Sequence, residues 1–210
     1  MNNPEKTTVA FQSATAGHDL LWESLRSGNI RAYERVFQLY YPVLFRYGIK
    51  FSRTEDEVKD CIQSLFLQIW ERRSFLGPTT SVKNYLLASL RRLLHKNSDS
   101  HDTSLSLTTH DFQVELSAES KLIAKQTEIG RMELVRKAFE NLPPRQKEAI
   151  YLRFYDDQDF NEIAHIMGIT VRASYKLIYK GLDAMQRQLA DRSVDLSILL
   201  SLLISLLCTI

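Results

Sequence analysis

FNEIAHIMGITVRASYKLIYKGL, Phe160 to Leu182, decides the fold: a short amphipathic run, a glycine, a threonine, then a longer amphipathic run dotted with lysine and arginine. Asp159 stands where an N-cap belongs for a helix over Phe160 to Met167, and Glu162 three residues on completes an Asp-x-x-Glu capping box. Gly168 occupies the position past a helix end that needs φ > 0, and Thr170 caps the helix that follows. Ala164 is small where two helices crossing at a steep angle need close approach. Cap, small residue, glycine and cap in this order predict a helix-turn-helix.

On the second helix, a rotation of about 100° per residue gathers Val171, Ser174, Tyr175, Ile178, Leu182, Met185 and Leu189 on one side, the expected core face. Arg172, Ala173, Lys176, Tyr179, Lys180 and Arg187 lie opposite. An ordinary solvated helix face accounts for most lysine and arginine stripes; the caps and the glycine favour a helix that reads DNA. Early residues of such a helix reach base edges and later cations reach phosphates. The expected DNA-contacting set is Thr170, Arg172, Ala173, Lys176, Tyr179 and Lys180.

Against that stands a net charge of only +2 over 210 residues. The charge is uneven, however. Residues 71–96 carry six bases and one acid, whereas residues 97–128 carry six acids and two lysines. With 44% apolar and 25% charged residues the chain reads as soluble and globular over most of its length. Helical spacing without alternating runs makes it all-α. Cys61 and Cys208 are far apart and lack a partner motif, which argues for a reducing compartment and against a disulfide scaffold or a zinc site. His18, His95, His101, His110 and His165 show no metal spacing, and no phosphate-cradling glycine loop or nucleophile motif is present, so neither an enzyme nor a cofactor is expected.

Upstream, Tyr33, Val36, Phe37, Tyr40 and Tyr41 mark one helix; Val58, Cys61, Ile62, Leu65, Phe66 and Ile69 mark a second; Gly77 and Pro78 separate it from a third over Val82 to His95. The expected organisation is a disordered N-terminus at 1–18 without a signal peptide, a helical domain at 19–96, a flexible polar linker at 97–127, a second helical domain at 128–190, and a hydrophobic tail at 194–210. Asp60, Gln63, Leu67 and Trp70 fall on faces adjoining the buried stripe of the second helix, where an exposed Trp beside a Leu marks an interface unless the Trp closes the small core. Arg72, Arg73, Lys83, Arg91, Arg92 and Lys96 supply charge beside the rings of Phe75 and Tyr85, the chemistry that holds unstacked bases; Tyr85 equally suits the core.

LPPRQKEAIYLRFYDDQDFNEIAHIMGITVRASYKLIYKGL, Leu142 to Leu182, resembles the fourth conserved region of the extracytoplasmic-function (ECF) group of sigma-70 RNA polymerase sigma factors, in particular its Bacteroidetes-like members. DEVKDCIQSLFLQIWERR, Asp56 to Arg73, resembles the second region, with Asp60, Gln63, Phe66 and Trp70 where that family repeats those residue types. SVKNYLLASLRR, Ser81 to Arg92, resembles the segment that melts and holds the downstream (minus ten) promoter element. The resemblance implies a non-enzymatic, cytoplasmic initiation factor. Its polymerase contacts would be Asp60, Gln63, Leu67 and Trp70 on the β′ clamp helices, with the β flap as a further partner. Arg72, Phe75, Lys83, Asn84, Arg91 and Arg92 would hold the single-stranded downstream element, the second domain would sit on the double-stranded upstream (minus thirty-five) element, and an anti-sigma factor would regulate the chain. Ser64 stands where the family often has Glu, Arg92 where Asn is common, Leu177 where Arg is common, and Asp157-Gln158 where Gly-Leu is frequent.

Two rival readings of the same sequence are a stand-alone helix-turn-helix regulator and an interaction protein held at a membrane by DLSILLSLLISLLCTI, Asp195 to Ile210. As a helix, residues 196–210 would span about 22 Å, short of the roughly 30 Å hydrocarbon core, which counts against a full span. Ser197, Ser201 and Ser205 recur every four residues and give one side small polar groups, so the tail suits docking on protein, peripheral membrane contact, or neither.

Overall fold

The computed structural model describes residues 20–51, 54–101, 112, 126–189 and 201, and among these every regular element is helical. Two compact units divide the chain, residues 1–103 and 104–210.

The first unit begins with helix α1 (residues 20–26), which ends in a turn at Gly28, φ 92°. α2 (Ile30–Gly48) starts at Asn29, whose side chain accepts from the Arg31 and Ala32 N–H groups. α3 (Glu55–Glu71) carries three acids in its first turn, the end where the helix dipole favours them. A 3-10 turn (Arg73–Phe75) and an extended stretch lead to α4 (Val82–His101), where the Ser81 hydroxyl accepts from the Asn84 N–H. α2, α3 and α4 pack on one another. Their core includes Leu44, Val58, Ile62, Leu86, Leu87 and Leu90, all inaccessible to solvent. Each such side chain contributes about 1.5–3 kcal/mol relative to exposure. At the α2–α3 contact, a Cβ on Gly48 would lie 2.6 Å from Val58 Cγ1, so glycine sets how closely those helices meet.

α4 continues six residues beyond His95, into the segment expected to be linker. Past the last buried leucine, Leu94, no glycine or proline stops it, and an established helix propagates at little cost. Most of the expected linker, the N-terminal segment, and the apolar tail except Ser201 lie outside the described residues.

The second unit comprises α5 (Gln126–Glu140), α6 (Pro144–Phe154), α7 (Phe160–Met167) and α8 (Val171–Leu189). Pro144 opens α6 at the one helical turn where a missing N–H costs nothing. α8 is the centre of this unit and packs on α5, α6 and α7. Ser174, Ile178, Leu182, Met185 and Leu189 are buried on it as the spacing predicts, but Val171 and Tyr175, expected in the core, are 38% and 42% exposed. The buried arc is turned by about 20° toward Gly181. The cause is that glycine itself: a Cβ there would lie 2.7 Å from Ile150 Cδ1, so α6 seats against the bare backbone of α8.

Candidate nucleic-acid interface

The turn between α7 and α8 is built as its sequence predicts. Asp159 accepts from the Asn161 and Glu162 N–H groups at 2.7 and 2.8 Å, and the Glu162 carboxylate accepts from the Asp159 N–H at 2.7 Å. Gly168 takes φ 63° and ψ 44°, and Thr170 Oγ1 accepts from the Ala173 N–H at 3.2 Å. Buried Ser174 locks the angle between the two helices, its hydroxyl lying 2.9 Å from the Phe160 carbonyl and 2.7 Å from that of Val171.

Thr170, Arg172, Lys176, Tyr179 and Lys180 are exposed and Ala173 is half-buried, so the expected upstream set stays together on the outer side of α8. From Tyr179 through Ala173 it spans an arc of about 120°. Arg187 extends the same face but is paired with Asp183 at 2.9 Å, so the end of the stripe carries no net charge. Beside the stripe runs an aromatic ladder that joins Tyr175, expected in the core, to Tyr179 of the outward set. Tyr175 stacks on Phe160 with ring centroids 3.7 Å apart, Tyr179 lies nearly parallel to Tyr175 at 6.2 Å, and the Arg153 guanidinium sits 5.4 Å over Phe160. Tyr175 and Tyr179, four residues apart, were the legible signal for this ladder.

In the first unit, Asp60, Gln63 and Leu67 are exposed and Trp70 is half-buried. Their spacing of three, four and three residues gathers them into one stripe on the outside of α3, with Leu67 57% exposed. Trp70 serves both readings weighed for it. One side of its ring meets Tyr33 at 5.1 Å, the Arg73 guanidinium lies 4.4 Å from its centroid, and the rest faces solvent. Burial of Tyr33 in that seam raises the ionisation of its phenol above the ordinary tyrosine value.

The downstream set is less uniform. Arg72 is exposed, and Phe75, at 88%, is the most exposed large apolar side chain among the described residues. Lys83 and Arg91 are half-buried and Arg92 is exposed, its guanidinium donating to Ser89 Oγ at 2.9 Å. Nine residues separate Lys83 from Arg92, which puts them on opposite sides of α4, so these bases do not form one continuous patch. Asn84 is a correction: at 6% exposure it lies inside the unit, because the N-terminal half of α4 is buried on nearly every side. Tyr85, 5.4 Å from the Trp22 ring, is a packing residue, and Arg73 is held against Trp70 with Nη1 donating to the Trp70 carbonyl at 2.6 Å.

Residues 132–185, from α5 to the buried Met185, match the family described as sigma-70, region 4. The ECF RNA polymerase sigma factor BldN of Streptomyces coelicolor is 24% identical over 176 residues, which cover 81% of this chain and 65% of that protein. Through that segment and that relative, the chain is similar to ECF sigma factors of the sigma-70 family. It thus spans about two thirds of the length of that relative. Among solved structures, CnrH in complex with the cytosolic domain of CnrY has a TM-score of 0.56 at 19% identity, over 83% of this chain and 98% of that one. The sigma factor RpoE in complex with the anti-sigma factor NepR, from Bartonella quintana, has a TM-score of 0.54 at 17% identity, over 76% and 98%. At those identities the likeness is one of fold, and it extends to both helical units of this chain.

Proposed function

We propose that this chain is a sigma factor: it joins core RNA polymerase, sets α8 in the major groove of an upstream promoter element, and helps open the downstream element with its first unit. The observation that carries the reading is the outer arc of α8, where Thr170, Arg172, Ala173, Lys176, Tyr179 and Lys180 face outward on a helix fixed by a full capping box, a left-handed glycine and a buried serine. The residues of that arc match those that read base edges and phosphates in helix-turn-helix proteins. The α3 stripe of Asp60, Gln63, Leu67 and Trp70 is the surface for the polymerase clamp, and Phe75 with Arg72 receives the melted strand. Two structures of like fold were solved as complexes, one with the cytosolic domain of CnrY and one with the anti-sigma factor NepR, and the second supports an anti-sigma factor as the regulator here. The factor acts in the cytoplasm, has no catalytic chemistry of its own and needs no cofactor.

The test is run-off transcription with purified core polymerase on a promoter mapped with the same holoenzyme. The chain is expected to confer initiation, and Arg172→Ala with Lys176→Ala to reduce promoter binding, by about 1–3 kcal/mol for each residue that contacts a base and less for a phosphate contact. A stand-alone regulator would confer no initiation on core polymerase. Wild-type transcription by the double variant would remove α8 from the mechanism.

A further inference from the structure

Phe75 is a large apolar side chain held almost entirely in water, on a loop that is anything but loose. The two carbonyls that follow it are both tied to α1, some fifty residues earlier in the chain. Arg26 Nε donates to the Leu76 carbonyl at 2.6 Å, and Trp22 Nε1 donates to the Gly77 carbonyl at 3.2 Å. Each donor is itself held in place. Arg26 Nη1 donates to both carboxylate oxygens of Glu23, at 2.6 and 2.7 Å, and the Trp22 ring is 2% exposed and lies 5.4 Å from Tyr85. On the other side of Phe75, its own N–H donates to the Arg72 carbonyl at 2.8 Å, and Arg73 is clasped by Trp70. The backbone on both sides of an exposed aromatic ring is therefore fixed.

We infer that Trp22 and Arg26 are positioning residues that hold the Phe75 loop ready to receive an unstacked base of the melted strand. The inference rests on the proposed role of that loop in opening the promoter and adds how the loop is prepared for it. Capturing a base means first unstacking it, which costs a few kcal/mol. A ring on a mobile loop would add the ordering of the loop to that cost, whereas a ring on a fixed loop does not. α1 removes that ordering step with two side-chain donors aimed at adjacent carbonyls. Neither donor needs to touch DNA.

The experiment measures opening of a mapped promoter duplex by reconstituted holoenzyme, with 2-aminopurine placed in the downstream element. Trp22→Phe keeps a packed ring and loses the donor; Arg26→Met keeps the stem and loses the fork; Arg26→Lys restores one donor. Phe75→Ala, Trp22→Phe and Arg26→Met are each expected to slow opening, by roughly tenfold where one such bond is lost, and Arg26→Lys to recover much of that rate. The decisive readout is the pair Phe75→Ala with Arg26→Met, which should be no slower than Phe75→Ala alone, because Arg26 acts only through the ring it positions. A general structural role for Arg26 would instead make the two losses multiply, and that result overturns the inference. It is equally overturned if Phe75→Ala slows opening while Trp22→Phe and Arg26→Met open at the wild-type rate. Wild-type opening by Phe75→Ala would instead sink the base-receiving role of the loop, and the inference with it. Should Arg26→Met unfold the first unit, Trp22→Phe and Arg26→Lys decide the same question.

Discussion

Asp157 adopts φ 52°, the only positive φ outside glycine among the described residues, in the turn between α6 and α7. The sigma-factor resemblance marks this as a place where glycine is frequent, and the geometry gives the reason. Aspartate tolerates the left-handed region because its short polar side chain bonds locally, whereas a β-branched side chain collides with its own backbone there. Asp157→Val is therefore expected to cost about 1–2 kcal/mol, and Asp157→Gly to leave stability nearly unchanged. Gly48 makes the complementary case, since it is small for reasons of space and not of φ. Gly48→Ala drives a methyl group into Val58 at the α2–α3 contact and is expected to cost about 1–3 kcal/mol. The two substitutions can be told apart by optics. Both tryptophans, Trp22 and Trp70, belong to the first unit, so tryptophan fluorescence follows that unit alone and circular dichroism follows both. Gly48→Ala should shift the fluorescence-detected unfolding of the full chain; Asp157→Val should shift only the transition seen by circular dichroism. A fluorescence shift for Asp157→Val would contradict the placement of its strain.

At the scale of elements, the parts legible in the sequence were those written in local chemistry. Caps and a left-handed glycine act within one or two turns, so Asp159, Glu162, Gly168 and Thr170 could be assigned from neighbours alone, and the outer arc of α8 followed from them. What periodicity could not supply was the effect of a missing side chain on a partner helix. Gly181 draws α6 inward and turns the α8 core away from Tyr175, and the apolar spacing of α8 does not record where Ile150 of α6 will seat. The anchoring of the Phe75 loop was hidden for a related reason, because its bonds join residues fifty positions apart. Asn84 was named as a DNA contact from the family resemblance alone, and α4 is buried almost all round at its start, which places it inside the unit. The α3 stripe leads to a prediction at this scale. Leu67 is exposed and makes no core contact on its outer face, whereas Trp70 leans on Tyr33. Leu67→Ala and Gln63→Ala should weaken capture of the chain by immobilised core polymerase with an unchanged unfolding midpoint. Trp70→Ala should weaken capture and also lower the fluorescence-free, dichroism-detected midpoint. Undiminished capture by all three would show that this stripe is not the polymerase surface.

For the whole molecule the small net charge becomes an argument about how the chain must work. Affinity for duplex DNA follows the number of phosphates neutralised. On the outer face of α8 the unopposed cations are Arg172, Lys176 and Lys180, since Asp183 cancels Arg187. Three phosphate contacts predict that the logarithm of the binding constant of the free chain for a promoter duplex falls with the logarithm of salt concentration with a slope of about −3. So shallow a dependence belongs to weak binding, and tight, sequence-selective binding should appear only once core polymerase holds both units on the DNA together, as linked modules gain affinity without any new contact. Asp183 gives the test its internal control. The ion pair with Arg187 lies in solvent, where such pairs are worth little to stability, so Asp183→Asn should leave the fold intact while freeing one cation beside the stripe. The slope is then expected to steepen by about one, and Lys176→Ala to make it shallower by about one. A free chain whose slope ignores both substitutions would have to meet DNA through some face other than α8.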